Sequence, residues 1–448
     1  MDTDTAYNQA LDYLYSYVDY SLKKSSELAK ADFHLERMFA LMEALGNPQK
    51  AYPIIHVAGT KGKGSTSALA AAALQAAGYK TGLYTSPHLQ DYVERIQVDG
   101  QPVSHAGLVE LVGQVKAAMA QIPKLTTFEI TTALGLLYFA QQKVDAAVIE
   151  VGLGGRLDAT NVVMPRVAVI TSLSYDHMAV LGNTLTAIAG EKAGIIKAGV
   201  PVVSSPQKDE ARIVLERVAE ERQAPLTLIG RDVFYRSGEH SLDGQALQVW
   251  TNGRKPVRLT LPLLGAHQVV NAATAYAALA ASGLDLSAEK IRRGFAQVSW
   301  PCRFEIVRRP VPEPGLTREP PVILDSAHNT DSFEKLGQTL EDYFPGRAVT
   351  LIFGSSEDKD IAGMFNALRP HLGRVIATKA VHPRALEPEQ IAETAAGLGL
   401  PVEAVPLVEA ALVRALELAA KDGSIVLSAG SMFVTAEVKT AWENTVGK

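Results

Sequence analysis

The stretch "YPIIHVAGTKGKGSTSALAAAALQAAG", from Tyr52 to Gly78, limits the fold of this 448-residue chain more than any other segment. An apolar run without polar alternation is the mark of a strand buried on both faces, which belongs in a parallel sheet covered by helices. A turn of glycine and lysine follows and opens directly into a small-residue helical segment. Strand, tight loop and helix must therefore succeed one another here. In that context backbone N–H groups and a helix N-terminus can cradle phosphate oxygens.

The loop departs from the usual G-x-x-x-x-G-K-[ST] pattern, because Gly64 separates Lys63 from Ser65. Lys63 is placed to neutralise phosphate charge, and Ser65 offers a hard oxygen to magnesium. The competing reading is an ordinary strand–turn–helix junction.

Further along, "DAAVIEVG", "RVAVITSL" and "TLTAIAGEKAGIIKAG" continue the alternation of buried strands with helical patterns, so the fold class is α/β with a mainly parallel sheet. Ligands in such sheets bind at the strand C-termini. Between about Ala224 and Leu264, "DVFYRS", "ALQVWT" and "PVRLTLPL" read as a small antiparallel insertion, with "SGEHSLDG" and "NGRK" as its turns. Helices are expected over "HQVVNAATAYAALAASG" and "SAEKIRRGFAQV". The proline-rich "SWPCRFEIVRRPVPEPGLTREPPVILDSAHN" then breaks the pattern, and a second alternation follows through "AVTLIFG", "RVIATKA", "PVEAVPL" and "SIVLSAG". The boundary is placed near Val298 to Arg303, giving domains 1–299 and 300–448.

A net charge of -5 with 47% hydrophobic residues sets no basic field for nucleic acid or membrane. The run "STSALAAAALQAAG" is too short and too weakly hydrophobic to span a bilayer. The acidic start "MDTDTAYNQALDYLYSYVDYSLKK" does not resemble a signal peptide. The single cysteine, Cys302, excludes an intramolecular disulfide framework. The expected location is cytoplasmic.

Four clusters carry candidate chemistry. Glu150 ends an apolar strand, so its carboxylate emerges at the sheet edge where magnesium would need an anion. Asp158 and Asn161, in "GGRLDATNVV", suit turn or cap positions equally well. Asp176 and His177 follow a third strand, and Lys192 lies on the next helix, where spacing alone favours a solvated lysine. Asn271 stands four residues after His267 on one helical face. In the second domain, Asp325 and His328 end a strand at the ligand-binding edge.

Taken in order, "GTKGKGS", "TSPHL", "FE", "EVGLGGRLDATN", "DH", "EKAGIIK", "HQVVNA", "PCRFE", "LDSAHN" and "DKD" resemble the folylpolyglutamate synthases and dihydrofolate synthases of the Mur ligase superfamily. The inserted glycine belongs to that family's form of the loop. The resemblance implies a P-loop-type Mur ligase central-like domain over 1–299 and a Rossmann-like Mur ligase C-terminal domain over 300–448. It also implies an ATP- and magnesium-dependent ligase, in which a carboxylate is phosphorylated and the amine of L-glutamate attacks the acyl phosphate. Folates, and dihydropteroate as well, would be the acceptors, with no nucleic acid or membrane partner; a monomer is left open.

The resemblance gives Gly62, Lys63, Gly64 and Ser65 to the phosphates, with Asn271, Arg303, Asp325 and His328 as further ATP-binding positions. Ser65, Ser86, Glu150 and His177 resemble metal ligands. Lys63, Lys192 and His177 take the catalytic positions, Lys192 matching a lysine that becomes carbamylated. Thr126, Thr127, Phe128 and Glu129, with Leu157, Asp158 and Ala159, match the dihydropteroate-binding stretches. Cys302 stands where the family usually has glycine, and "LDSAHNTDS" replaces D-G-A-H-N-P. The alternatives are a peptidoglycan-precursor Mur-type amino acid ligase, disfavoured by G-K-G-S, and a P-loop nucleotide switch that makes no product.

Overall fold

The computed structural model describes residues 2–19, 33–307 and 320–446. Residues 20–24 of the acidic N-terminal stretch and residues 308–319 of the proline-rich break lie outside the described residues. The chain forms two compact units: Met1–Glu239, Ala246–Leu261 and Gln268–Val298 make the first, and His240–Gln245, Pro262–His267 and Ser299–Lys448 make the second.

The first unit is built on β1 (Ile54–Ala58), β2 (Thr81–Tyr84), β3 (Ile96–Val98), β4 (Gln101–Pro102), β5 (Ala146–Glu150), β6 (Val167–Ile170), β7 (Val202–Ser204) and β8 (Leu226–Leu228). Their order is β4-β3-β2-β5-β1-β6-β7-β8. All pairings are parallel except β2 with β3 and β3 with β4. Every residue of β1 is buried, as its unbroken apolar run predicts. The register aligns Val57 with both Glu150 and Val169, so the chain leaves β1, β5 and β6 at one edge.

The small-residue run forms the helix Lys63–Ala76, and its composition has a packing reason. This helix contacts Ala288–Gln297, and a Cβ placed on Gly294 would lie 2.4 Å from the Ala72 carbonyl oxygen. Alanines on one helix and glycine on the other let the backbones approach closely. The expected helix over "TLTAIAGEKAGIIKAG" is shorter than its pattern, running only over Leu185–Ala193. At Gly194, just past the helix end, the Cα of Arg156 lies 2.4 Å from where a Cβ would stand, so only glycine fits there.

The insertion comprises β9 (Val233–Ser241), β10 (Gly244–Thr251) and β11 (Val257–Leu261), in the order β11-β10-β9. Only Leu242 and Asp243 separate β9 from β10, a connection short enough to require an antiparallel hairpin. Most of the expected turn "SGEHSLDG" is thus strand, its exposed residues having hidden the pattern.

The second unit holds β12 (Glu305–Val307), β13 (Val322–Leu324), β14 (Val349–Phe353), β15 (Leu372–Ala377), β16 (Val402–Ala404) and β17 (Ile425–Ala429), in the order β12-β13-β17-β14-β15-β16. Only β12 runs antiparallel to its neighbour. Its core includes Phe333, Leu351, Phe353, Phe365 and Leu427. Both units are therefore α/β, and the first sheet is mainly parallel.

Candidate active site

The loop after β1 has a shape that two glycines require. Gly59 has φ +149°, and a Cβ on it would lie 1.8 Å from Thr171 Oγ1. Gly62 has φ +86°, and a Cβ there would lie 2.2 Å from Asn271 Oδ1. The amides of Thr60 and Lys61 both donate to the Ser172 carbonyl at 3.0 Å, tying this loop to the one after β6. Gly62 stands before the helix Lys63–Ala76, whose N-terminus has no side-chain cap. Its first-turn N–H groups and the positive end of its dipole thus face the loop.

Gly62→Ala is expected to weaken nucleotide binding by about tenfold or more, since the new methyl group meets Asn271 and the positive φ becomes strained. Titration with a fluorescent ATP analogue measures this. Binding within about twofold of the parent would remove the loop's shape from nucleotide affinity.

Charge gathers at the same edge. Lys63 Nζ lies 3.9 Å from Glu150 Oε1, and Glu150, buried at the end of β5, accepts the Ser86 amide through Oε2 at 3.3 Å. Lys61 Nζ donates to Asp176 Oδ2 at 2.9 Å. His177, next to Asp176, has φ +49° and a half-exposed side chain. Ser65 is buried in the first turn of the helix.

Lys192 differs from the solvated lysine its spacing suggested. It is 4% exposed, and its amine donates to the Gly59 carbonyl at 2.9 Å. Burial lowers its pKa to about 7, helped by Lys63 and Lys61 and opposed by Asp176 and Asp158. Relative to a free lysine, the site favours the neutral amine by about 5 kcal/mol. A large share of the group is therefore unprotonated near neutral pH.

The stretch Thr126 to Glu129 opens the helix Thr127–Gln141 with a capping box: Thr126 Oγ1 accepts the Glu129 amide, and Glu129 Oε2 accepts the Thr126 amide at 2.7 Å. Arg37 pairs with the other Glu129 oxygen at 3.0 Å. Thr127 donates its hydroxyl proton to the Leu14 carbonyl at 3.0 Å. Phe128 is half-buried against Gly152, where a Cβ would lie 2.4 Å from the tip of the ring. Its ring thus lies beside the end of β5. The T-x-x-E spacing announces such a box.

Asp158 caps the short turn Ala159–Val162. Its Oδ1 accepts from Thr160 N at 3.0 Å and from Thr160 Oγ1 at 2.5 Å, while Oδ2 accepts from Leu153 N at 2.8 Å. Burial raises its pKa, and these hydrogen bonds oppose the rise. Leu157 is half-buried and Ala159 buried. Asn161 Nδ2 donates to the carbonyls of Arg156 and Gly194, joining this loop to the end of the helix that carries Lys192.

In the second unit, Arg303 lies within electrostatic reach of Asp325. Asp325 is half-buried and accepts the amides of Phe304 and Ala327, each at 2.8 Å. Burial raises its pKa, against the pull of Arg303. His328 Nδ1 pairs with the Ser326 carbonyl at 2.9 Å. Sequence reasoning missed the Lys61–Asp176 pair and the buried His56, although a histidine inside an apolar strand is itself a signal.

The loop, the buried carboxylate and the buried lysine meet in the first of two α/β units. Residues 57–279 match the Mur ligase middle domain, and residues 303–432 match the Mur ligase, glutamate ligase domain. The dihydrofolate synthase/folylpolyglutamate synthase of Bacillus subtilis is 38% identical over 377 residues, covering 81% of this chain and 83% of its own length. The Mycobacterium tuberculosis folylpolyglutamate synthase complexed with ADP superposes with a TM-score of 0.87 at 34% identity, covering 100% of this chain and 99% of that one. Escherichia coli FolC in complex with DHPP and ADP gives a TM-score of 0.83 at 34% identity, covering 97% and 98%. The chain belongs to the folylpolyglutamate synthase and dihydrofolate synthase family, whose members are ATP-dependent ligases. No helix among the described residues is long and apolar enough to cross a membrane.

Proposed function

We propose that this enzyme joins L-glutamate to folates and to dihydropteroate through an acyl phosphate. The observation that carries the reading is the meeting of the Gly59–Ser65 loop, Glu150, Asp176–His177 and buried Lys192 at the shared edge of β1, β5 and β6. A carboxylate oxygen of the acceptor attacks the γ-phosphorus and ADP leaves. The glutamate nitrogen then attacks the acyl carbon and phosphate leaves, while the nitrogen loses its protons to the surroundings. The first step brings two anions together, so it needs positive charge where the phosphoryl group moves. Lys63 supplies part of that charge, and the first-turn amides of Gly64 and Ser65 hold the phosphates.

Magnesium suits this edge, because it takes hard oxygens and keeps phosphate and water in its shell. Glu150 and Ser86, with an imidazole nitrogen of His177, would hold one ion, and Ser65 would hold another beside the loop. When bound, the ions would neutralise phosphate charge and polarise the γ-phosphoryl group. Lys192, already favouring the neutral amine, is suited to take up CO2 as a carbamate, which would place an anion beside Gly59. In the second unit, Arg303, Asp325 and His328 are proposed to contact the nucleotide, as is Asn271 at the loop. Phe128 offers its ring to the pterin, with Asp158, Leu157 and Ala159 alongside. The ranges 1–299 and 300–448 serve as the ATP-binding and glutamate ligase domains, acting in the cytoplasm.

The test is phosphate release with ATP and magnesium, measured with L-glutamate and either dihydropteroate, tetrahydrofolate or no acceptor. Glutamate-dependent release is expected with both acceptors. Release with tetrahydrofolate alone, in the same active preparation, would reduce the function to polyglutamylation. Slow hydrolysis indifferent to glutamate would favour a nucleotide switch.

A further inference from the structure

We propose that His56 and Thr160 are positioning residues that orient the Asp158 carboxylate, an inference resting on the reading that Asp158 meets the pterin. His56 lies in the middle of β1 and is fully buried. A polar ring there carries a desolvation cost that an aliphatic residue would avoid. Its Nε2 lies 2.8 Å from Thr160 Oγ1, and its Nδ1 has no hydrogen-bond partner among the described residues. The ring is therefore held through one nitrogen.

The protons can be assigned by counting. Thr160 has one hydroxyl proton, and it goes to Asp158 Oδ1 at 2.5 Å. The Thr160 oxygen can then only accept from His56, so the imidazole carries its proton on Nε2. Burial also holds the ring's pKa down to about 3, which keeps it neutral. Two hydrogen bonds thus run in one direction, from the sheet core through Thr160 to the carboxylate.

What the relay fixes lies beside the reacting edge. Asp158 Oδ2 accepts the Leu153 amide, which closes the loop that follows β5. The same loop rests on the Lys192 helix, with Arg156 N donating to the Glu191 carbonyl at 2.8 Å and a Cβ on Gly155 falling 3.0 Å from Lys192 Cα. Without the His56 donor, the Thr160 hydroxyl is held toward Asp158 Oδ1 by that one hydrogen bond alone, and the carboxylate is less firmly oriented. Substrate contact then weakens before ATP contact does, because the phosphate loop is held separately by Ser172 and Asp176.

The experiment compares Thr160→Val, Thr160→Ser, His56→Leu and Asp158→Asn in steady-state assays of the full-length protein, with dihydropteroate and tetrahydrofolate in parallel. Thr160→Val and His56→Leu are expected to raise the acceptor KM about tenfold or more while leaving the ATP KM within about twofold, the scale of one lost hydrogen bond to a charged group. Thr160→Ser should restore the parent value. Nitrogen-15 spectra of histidine-labelled parent protein should show the His56 proton on Nε2, a readout that needs no variant to fold. A proton on Nδ1, or an unchanged acceptor KM in Thr160→Val while Asp158→Asn raises it, overturns the relay. An unchanged acceptor KM in Asp158→Asn instead overturns the substrate role of Asp158, and the proposal with it.

Discussion

Glu150→Gln is expected to cut glutamate-dependent phosphate release by about two to three orders of magnitude while the protein melts at its usual temperature. The amide keeps the shape of the side chain and an oxygen for the Ser86 amide, so the fold has little reason to respond. What disappears is one negative charge, at a place where Lys63 approaches to 3.9 Å and where a divalent cation would sit. Electrostatic stabilisation of a moving phosphoryl group amounts to several kcal/mol, and each 1.4 kcal/mol is about tenfold in rate. Turnover within about twofold of the parent would remove Glu150 from the chemistry.

Lys192→Ala is expected to abolish measurable turnover, and acetate or another short carboxylic acid should restore part of it by standing in for a carbamate. The sign of the pH dependence follows from the buried amine. CO2 reacts with the neutral form, and this lysine, lowered to about 7 by burial, is mostly an ammonium at pH 6 and mostly an amine at pH 8. Carbamate content, read by intact-protein mass measurement in bicarbonate buffer, should therefore rise across that interval. An active sample carrying only unmodified Lys192 would count against the modification.

The candidate site is legible in the sequence where strands deliver its residues to one edge. β1, β5 and β6 announce themselves as unbroken apolar runs, and a parallel register then brings Gly62, Glu150 and His177 to one edge without further information. β2, β7, β8 and β12 are three or four residues long and carry no period to read. Lys192 is a different failure. Helical spacing describes one helix and not the loops laid over it, so the approach of Arg156 and Gly155 that buries this lysine is invisible from its neighbours in sequence. Asn271 shows the same limit, since only the folded chain sets its amide against Gly62. Thr126 to Glu129 was legible twice over: the spacing spells a capping box and the residues resemble a pterin stretch, and the structure displays the first.

The strand order has a consequence for biosynthesis. β1 is the centre of its sheet, yet both of its neighbours come later in the chain: β5 begins at Ala146 and β6 at Val167. On the ribosome, a strand that needs cover on both faces and partners on both edges emerges long before either partner exists. Such delayed, non-local pairing is slow and leaves apolar edges open to other chains. A nascent chain ending before Ile170 cannot complete the edge proposed to hold the nucleotide, so ATP would not help the early folding steps. Chaperone shielding of the segment around Ile54–Ala58 would be most useful while the next hundred or so residues are still being made.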